Sequence, residues 1–102
     1  MKRTVAEEAA RWWADRIRKV QYSEEIDIFE RELTELILER MREEPLVILG
    51  VDWVPDQIFK DAADKASLRL GMTDLPWQTV MRIEKGHIEV ALGYGSDYEA
   101  LS

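Results

Sequence analysis

A two-residue turn, Lys85-Gly86, is the feature that most constrains the fold of this chain, because alternating apolar and polar residues flank it over 78–84 and 87–95. Such a turn between alternating segments is typical of a tight β-hairpin, and it also fixes the register of the two strands. The predicted cross-strand pairs are Ile83 with Ile88, Met81 with Val90, and Arg82 with Glu89. The apolar pairs share one face and the charged pair lies on the other, so the sequence predicts an antiparallel hairpin with one buried face.

Two helices are predicted before the first strand. Thr4 and Glu7 have the spacing of a capping box, which predicts a first helix that continues to about residue 21. Ser23 is a good N-cap for a second helix over residues 24–43, which must end before Pro45 because a residue preceding proline avoids the helical region. The linker between them is so short that we expect a helical hairpin.

A strand and a third helix are predicted between residues 46 and 71. The continuously apolar segment 46–51 predicts a strand covered on both faces. Pro55 suits the first position of the third helix, and Gly71 is its natural stop. The predicted order is α-α-β-α-β-β, a single α+β domain over residues 1–102 with a helical hairpin and one further helix on a three-stranded sheet. A right-handed crossover through the third helix would make the first two strands parallel, but the loop at 71–77 is long enough for an antiparallel arrangement.

The charge of the chain restricts its binding partners. The formal net charge is −7, and residues 23–44 contribute nine acidic and three basic side chains to it. A chain this acidic is not expected to bind nucleic acid directly, but it is attracted to basic protein surfaces. The chain has no cysteine, and neither a signal peptide nor a membrane-spanning segment is visible, which predicts a cytoplasmic protein.

The second predicted helix carries a row of glutamates opposite its apolar face, with no lysine or arginine among them. The members of this acidic stripe are Glu25, Glu32, Glu35, Glu39 and Glu43. Like charges one turn apart cost about 0.2–0.5 kcal/mol per pair, so the stripe itself does not favour folding. It is either ordinary solvated surface or an interaction surface. Trp12, which lies off the apolar stripe of the first helix beside Arg16, is a candidate aromatic anchor.

Catalytic and cofactor motifs are weak by comparison. His87 is the only histidine and sits beside the hairpin turn, where neither a second imidazole nor a thiolate can join it on a metal. Asp52 follows the first strand, where a catalytic carboxylate can lie, but a role in capping the third helix is the simpler interpretation. Trp53 and Trp77 are interpreted as core residues or as an exposed aromatic patch. We therefore expect no catalytic, metal or cofactor site.

The segment Pro76-Trp77-Gln78-Thr79, the hairpin and Gly93-Tyr94-Gly95 together resemble small uncharacterised proteins of phages and mobile elements in Firmicutes. The resemblance covers roughly the C-terminal half of the chain, from Asp52 onward. It implies no catalytic residues. It does imply a small acidic inhibitor of host defence, of the kind represented by anti-CRISPR proteins that occupy nucleic-acid-binding grooves.

The sequence therefore predicts a non-enzymatic inhibitor or binding protein that docks the acidic stripe on a basic partner, such as a nucleic-acid-binding nuclease. The alternative is a structural or regulatory protein of a mobile element that forms a homodimer. In that arrangement Arg11 and Arg18 of one copy would meet glutamates of another.

Overall fold

The computed structural model describes residues 2–52, 54–71, 74–93 and 95–101. The helices are α1 (Lys2–Arg18), α2 (Glu25–Glu43) and α3 (Gln57–Ala66). The strands are β1 (Leu46–Val51), β2 (Thr79–Glu84), β3 (His87–Leu92) and β4 (Glu99–Ala100). The predicted α+β class is confirmed, with one strand more than expected.

The predicted hairpin is confirmed in its register and in its turn. β2 and β3 pair antiparallel, and Ile83 lies opposite Ile88 while Arg82 lies opposite Glu89. Lys85 and Gly86 both have positive φ, of 50° and 80°, as a two-residue turn between twisted strands requires. The Arg82 Nη2 atom lies 2.7 Å from Oε1 of Glu89, so the predicted charge pair is also formed.

The sheet is antiparallel throughout, and its strand order is β1-β2-β3-β4. Of the two arrangements that the sequence left open for the first strand, the antiparallel one is therefore present. The fourth strand comes from the C-terminal segment, which pairs with β3 and donates a backbone hydrogen bond of 2.8 Å from Leu101 N–H to the Ile88 carbonyl. β4 was not predicted from the sequence, because this strand has only two residues and their side chains are exposed.

The helices cover only one face of the sheet. Val47 and Leu49 of β1 point inward and are buried, whereas Leu46 and Ile48 point outward and are 37% and 50% exposed. The expectation that β1 is covered on both faces is therefore wrong. Its outward residues are apolar, as the expectation required, but no helix packs over them. The largest fully buried side chains all come from the helices, and they are Trp13, Phe29 and Phe59.

The ends of α1 and α3 differ from the predicted limits. α1 ends at Arg18, before the expected limit at about residue 21. α1 begins at Lys2, so Thr4 lies inside the helix and the predicted capping box is wrong. α3 begins after Asp56, whose side chain accepts the Ile58 N–H at 3.0 Å, and it ends where Ser67 adopts a left-handed conformation with φ of 55°. The limits expected from Pro55 and Gly71 are therefore too wide.

The predicted C-terminal limit of α2 is confirmed, but the helix begins at Glu25, one residue later than expected. Its N-cap residue is Glu24 rather than Ser23, and the Glu24 side chain forms no capping hydrogen bond, although the Ser23 hydroxyl accepts a hydrogen bond of 3.2 Å from the Glu25 N–H. The helix ends at Glu43, and Glu44 has extended backbone angles before Pro45. In the described part of the chain, no helix has the length and apolar character needed to cross a bilayer.

Candidate functional site

The acidic stripe lies on the outer side of α2. Ile26, Phe29, Leu33 and Ile37 of this helix are buried in the core. On the other side, Glu25, Glu35, Glu39 and Glu43 are exposed and Glu32 is partly exposed. The stripe is therefore open to solvent and does not pack against the sheet.

One member of the stripe is paired with an arginine of α1. The Arg3 Nη2 atom lies 2.6 Å from Oε2 of Glu35, and both side chains are more than half exposed. The hydrogen bond from Arg3 to Glu35 raises the pKa of the guanidinium. A pair this exposed is worth little to stability, but it does reduce the charge at the middle of the stripe.

Two other arginines of α1, Arg11 and Arg18, bind carboxylates beside the stripe rather than within it. Arg18 lies 2.7 Å from Asp15, 2.7 Å from Asp27 and 2.8 Å from Glu30. Partial burial lowers the pKa of Arg18, but hydrogen bonds to these three carboxylates outweigh burial and raise it overall. Arg11 lies 3.7 Å from Glu30. These contacts tie α1 to α2, so Arg11 and Arg18 act within their own chain.

Four carboxylates of the stripe form no ion pair with another described residue, and they are Glu25, Glu32, Glu39 and Glu43. Glu25 differs from the other three, because the Ser23 hydroxyl donates to its carboxylate and thereby lowers its pKa. We call Glu32, Glu39 and Glu43 the open carboxylates. They lie on the central and C-terminal turns of α2, and Glu32 lines a cleft together with Arg3 and Arg11 of α1.

Two arginines of α2 lie at the margin of the stripe. At 100° per residue, Arg31 and Arg42 are about 40° and about 20° from Glu35 around the helix. Both are exposed, and neither forms an ion pair with another described residue. The position of the two arginines follows from helical spacing in the sequence, but an analysis that considers only the glutamates overlooks them. The surface is therefore acidic with a mixed edge, rather than acidic throughout.

Trp12 does not join the acidic stripe. The side chains of Arg3, Arg11 and Arg18 define the side of α1 that faces α2, and Trp12 lies about 100° or more from each of them around the helix. Its ring packs edge-on against Trp13, with centroids 4.9 Å apart, and the Arg16 guanidinium lies 4.1 Å from its centroid. Arg16 therefore forms a cation–π contact with Trp12, and the geometry gives Trp12 no place beside the stripe.

An apolar cleft that the sequence did not reveal lies beside the C-terminal end of α2. It has a volume of about 700 Å³ and is formed by the beginning of α1, the end of α2 and the hairpin turn. Val5, Met41, Pro45 and Ile83 supply its apolar walls, and the cleft is also lined by one residue of each charge, Glu44 and Lys85. The cleft follows directly after Glu43, so an apolar surface and the open carboxylates are neighbours.

The remaining candidates are scattered. His87 is exposed opposite Glu84 in the hairpin, and Asp52 is exposed after β1, where Asp56 rather than Asp52 caps α3. Trp77 is 49% exposed and is not a core residue. Trp53 and Tyr94, which carried two further predictions, lie outside the described residues. Over the described positions, no three histidine, aspartate or glutamate side chains are grouped so that they could hold a metal ion.

Comparison with known proteins adds no relative to this picture. No protein-family model matches the chain, and no curated protein matches it. The function is therefore inferred from the charges and the shape of the surface described above.

Proposed function

We propose that this protein is a cytoplasmic, non-enzymatic binding module that docks the outer side of α2 on a basic partner protein. The observation that carries this proposal is the row of open carboxylates. Glu32, Glu39 and Glu43 are accessible over about 16 Å of helix, at a rise of 1.5 Å per residue, and no described residue pairs with them.

The electrostatic consequences of this arrangement support binding more than folding. Carboxylates one turn apart on α2 repel each other, and a basic partner removes that repulsion when it binds. Unpaired surface charges also raise the rate of encounter with an oppositely charged partner and set its orientation. The chain carries a formal net charge of −7, which adds a long-range attraction for any basic surface.

The cleft beside Glu44 supplies an apolar contact surface, which the open carboxylates lack. Charged pairs at the rim of an interface orient the partners, while buried apolar or aromatic side chains supply most of the affinity. A side chain of the partner that enters the cleft near Met41 and Ile83 would fill this role, in place of Trp12.

The partner class that fits best is a protein that normally binds nucleic acid. Such proteins present rows of lysine and arginine. Glu32 and Glu39 are seven positions apart, which is about 10 Å along the helix and loosely imitates the spread of phosphates. Together with the resemblance to phage and mobile-element proteins, this favours an inhibitor that blocks the nucleic-acid groove of a host defence protein.

A matched pair of double variants tests the proposal. Glu32→Lys with Glu39→Lys reverses two open carboxylates, whereas Glu8→Lys with Asp64→Lys reverses two exposed carboxylates on α1 and α3. Both variants have the same net charge, so any difference between them reports the position of the charge. The partner is first captured from a nuclease-treated lysate, and its affinity for each chain is then measured with purified components.

Selective loss of binding in the first variant supports the proposal. Equal binding by both variants and the wild type would remove the acidic stripe from the interface. The homodimer alternative is less well supported, because Arg11 and Arg18 already bind carboxylates of their own chain. Sedimentation at micromolar concentration separates the two, since the binding module is expected to sediment as a monomer.

A further inference from the structure

We infer that the open edge of β1 binds an extended, basic segment of a partner protein by adding it to the sheet as a further strand. This inference extends the proposed function, because it assigns a basic binding partner to a second surface of the protein. It depends on the main chain of β1 and not on the open carboxylates, so the two can fail independently.

A single hydrogen bond shows to which edge of β1 each residue directs its main-chain N–H and C=O groups. The Gly50 carbonyl accepts from the Asp56 N–H at 2.9 Å, and Asp56 lies outside the sheet. In an extended strand the N–H and C=O of one residue point to the same edge, and those of the next residue point to the opposite edge. Leu46 and Ile48 therefore direct their main-chain groups away from β2, as Gly50 does.

In the described part of the chain, no strand pairs with the outer edge of β1 at Leu46 and Ile48. β1 is the terminal strand of the sheet, and apart from the pairing with β2 no backbone hydrogen bond from a described residue reaches Leu46 or Ile48. Unpaired donors and acceptors on an edge strand are a template for another strand. Pro45 limits this edge at its beginning and Asp56 limits it at Gly50, so it accommodates a short segment only.

The side chains of the same residues define what the added strand carries. Leu46 and Ile48 are exposed on the outer face of the sheet, 37% and 50% respectively. In an antiparallel pair, the residue opposite Ile48 points to the same face. The incoming segment therefore needs apolar residues at alternate positions, with its other side chains on the opposite face.

The surrounding charges select a basic segment over a second copy of this chain. Glu43 and Glu44 are exposed immediately before β1, and the exposed Glu84 of β2 pairs with Leu46. Arg82, which lies opposite Ile48, is already paired with Glu89 at 2.7 Å. A second copy would bring the same carboxylates and another net charge of −7 to the edge. Lysine or arginine at the ends of the incoming segment is attracted instead, so the occupant is an apolar, alternating segment with basic ends.

A synthetic peptide in which valine alternates with threonine between pairs of lysines provides the probe. A matched peptide carries glutamates in place of the lysines. Two further basic peptides are N-methylated, one on its valine amides and one on its threonine amides. Valine side chains that lie beside Leu46 and Ile48 require the valine amides to face β1. Methylation of the valine amides should then abolish binding, while methylation of the threonine amides should leave it within about threefold.

Amide hydrogen exchange locates the contact. Saturating basic peptide should slow exchange of the Ile48 amide by about tenfold or more, while the Leu49 amide, already bonded to β2, should change little. Ile48→Pro removes the outward donor at an edge position that tolerates proline, and Ile48→Thr keeps it. The proline variant should lose the peptide and the threonine variant should retain it.

The inference is overturned if the two methylated peptides bind equally, if the glutamate peptide binds as well as the lysine peptide, or if the Ile48 amide gains no protection. If Ile48→Pro does not fold, the exchange measurement on the wild type decides. The variant Glu32→Lys with Glu39→Lys should keep the discrimination between the methylated peptides, which separates this inference from the proposed role of α2.

Discussion

Arg40 of α2 holds Asp56, the N-cap residue of α3, through a contact of 2.8 Å between Nη2 and Oδ1. The same Oδ1 atom accepts the Ile58 N–H at 3.0 Å. One carboxylate therefore begins α3 and attaches it to α2, while the Asp56 N–H bonds Gly50 of β1. This residue joins the three elements around the open strand edge.

The first prediction separates the two roles of Asp56. Asp56→Ala should lower the free energy of unfolding by about 1–2 kcal/mol, because it removes the cap and the ion pair together. Asp56→Asn should lose only about half as much, since an amide oxygen still caps the helix. Urea denaturation followed by circular dichroism measures both values. Equal losses in the two variants would show that the cap contributes nothing.

The second prediction concerns Trp13, which is fully buried and whose indole N–H has no hydrogen-bond partner among the described residues. A buried unsatisfied donor costs about 1–3 kcal/mol. Trp13→Phe removes that donor and keeps a ring next to Phe59, whose centroid is 4.6 Å away. It should therefore be at least about 2 kcal/mol more stable than Trp13→Ala, which leaves a large cavity. Chemical denaturation decides, and similar stabilities for the two variants would contradict the packing described here.

The third prediction is a pH effect at the beginning of α2. The hydrogen bond from the Ser23 hydroxyl, together with the Glu25 backbone N–H, lowers the pKa of Glu25. A carboxyl with a lowered pKa in the folded state contributes stability above its unfolded pKa, and that contribution is lost as the pH falls through the folded value. Ser23→Ala should raise the pKa of Glu25 toward its usual range in a carboxyl NMR titration. An unchanged titration midpoint would show that the hydroxyl does not bind this carboxylate.

The fourth prediction tests the hairpin turn. Gly86 has φ of 80°, and an added Cβ there would meet no heavy atom within 4 Å. Gly86→Ala should therefore destabilise the protein by about 1–2 kcal/mol through backbone strain alone. Gly86→Asn should cost clearly less, because asparagine tolerates the left-handed region. Thermal denaturation compares the two variants, and a larger cost for asparagine would indicate a different turn.

The elements that could be predicted from the sequence are those in which local and tertiary preferences agree. The β2–β3 hairpin is an example, since the turn residues, the apolar alternation and the Arg82–Glu89 pair all specify one register. β1 shows the opposite case. A continuous apolar run indicates a strand, but it does not show that one face and one edge remain open, because that depends on where the helices pack.

The candidate site was predictable in part for the same reason. The stripe on α2 follows from helical spacing, so its exposure could be anticipated. Its pairing with Arg3 depends on how α1 packs beside α2, and the spacing of one helix contains no such information. The separation of Trp12 from the stripe and the cleft beside Met41 also arise from packing between elements.

The salt dependence of partner binding tests the central claim most directly. Affinity of the captured partner is measured at low and at high salt for the wild type, for Glu32→Lys with Glu39→Lys, and for Glu8→Lys with Asp64→Lys. The wild type and the second variant should weaken by about tenfold or more as salt rises, and the first variant should already be weak at low salt. Affinity that ignores both salt and the position of the reversed charges would contradict an interface built on the open carboxylates of α2.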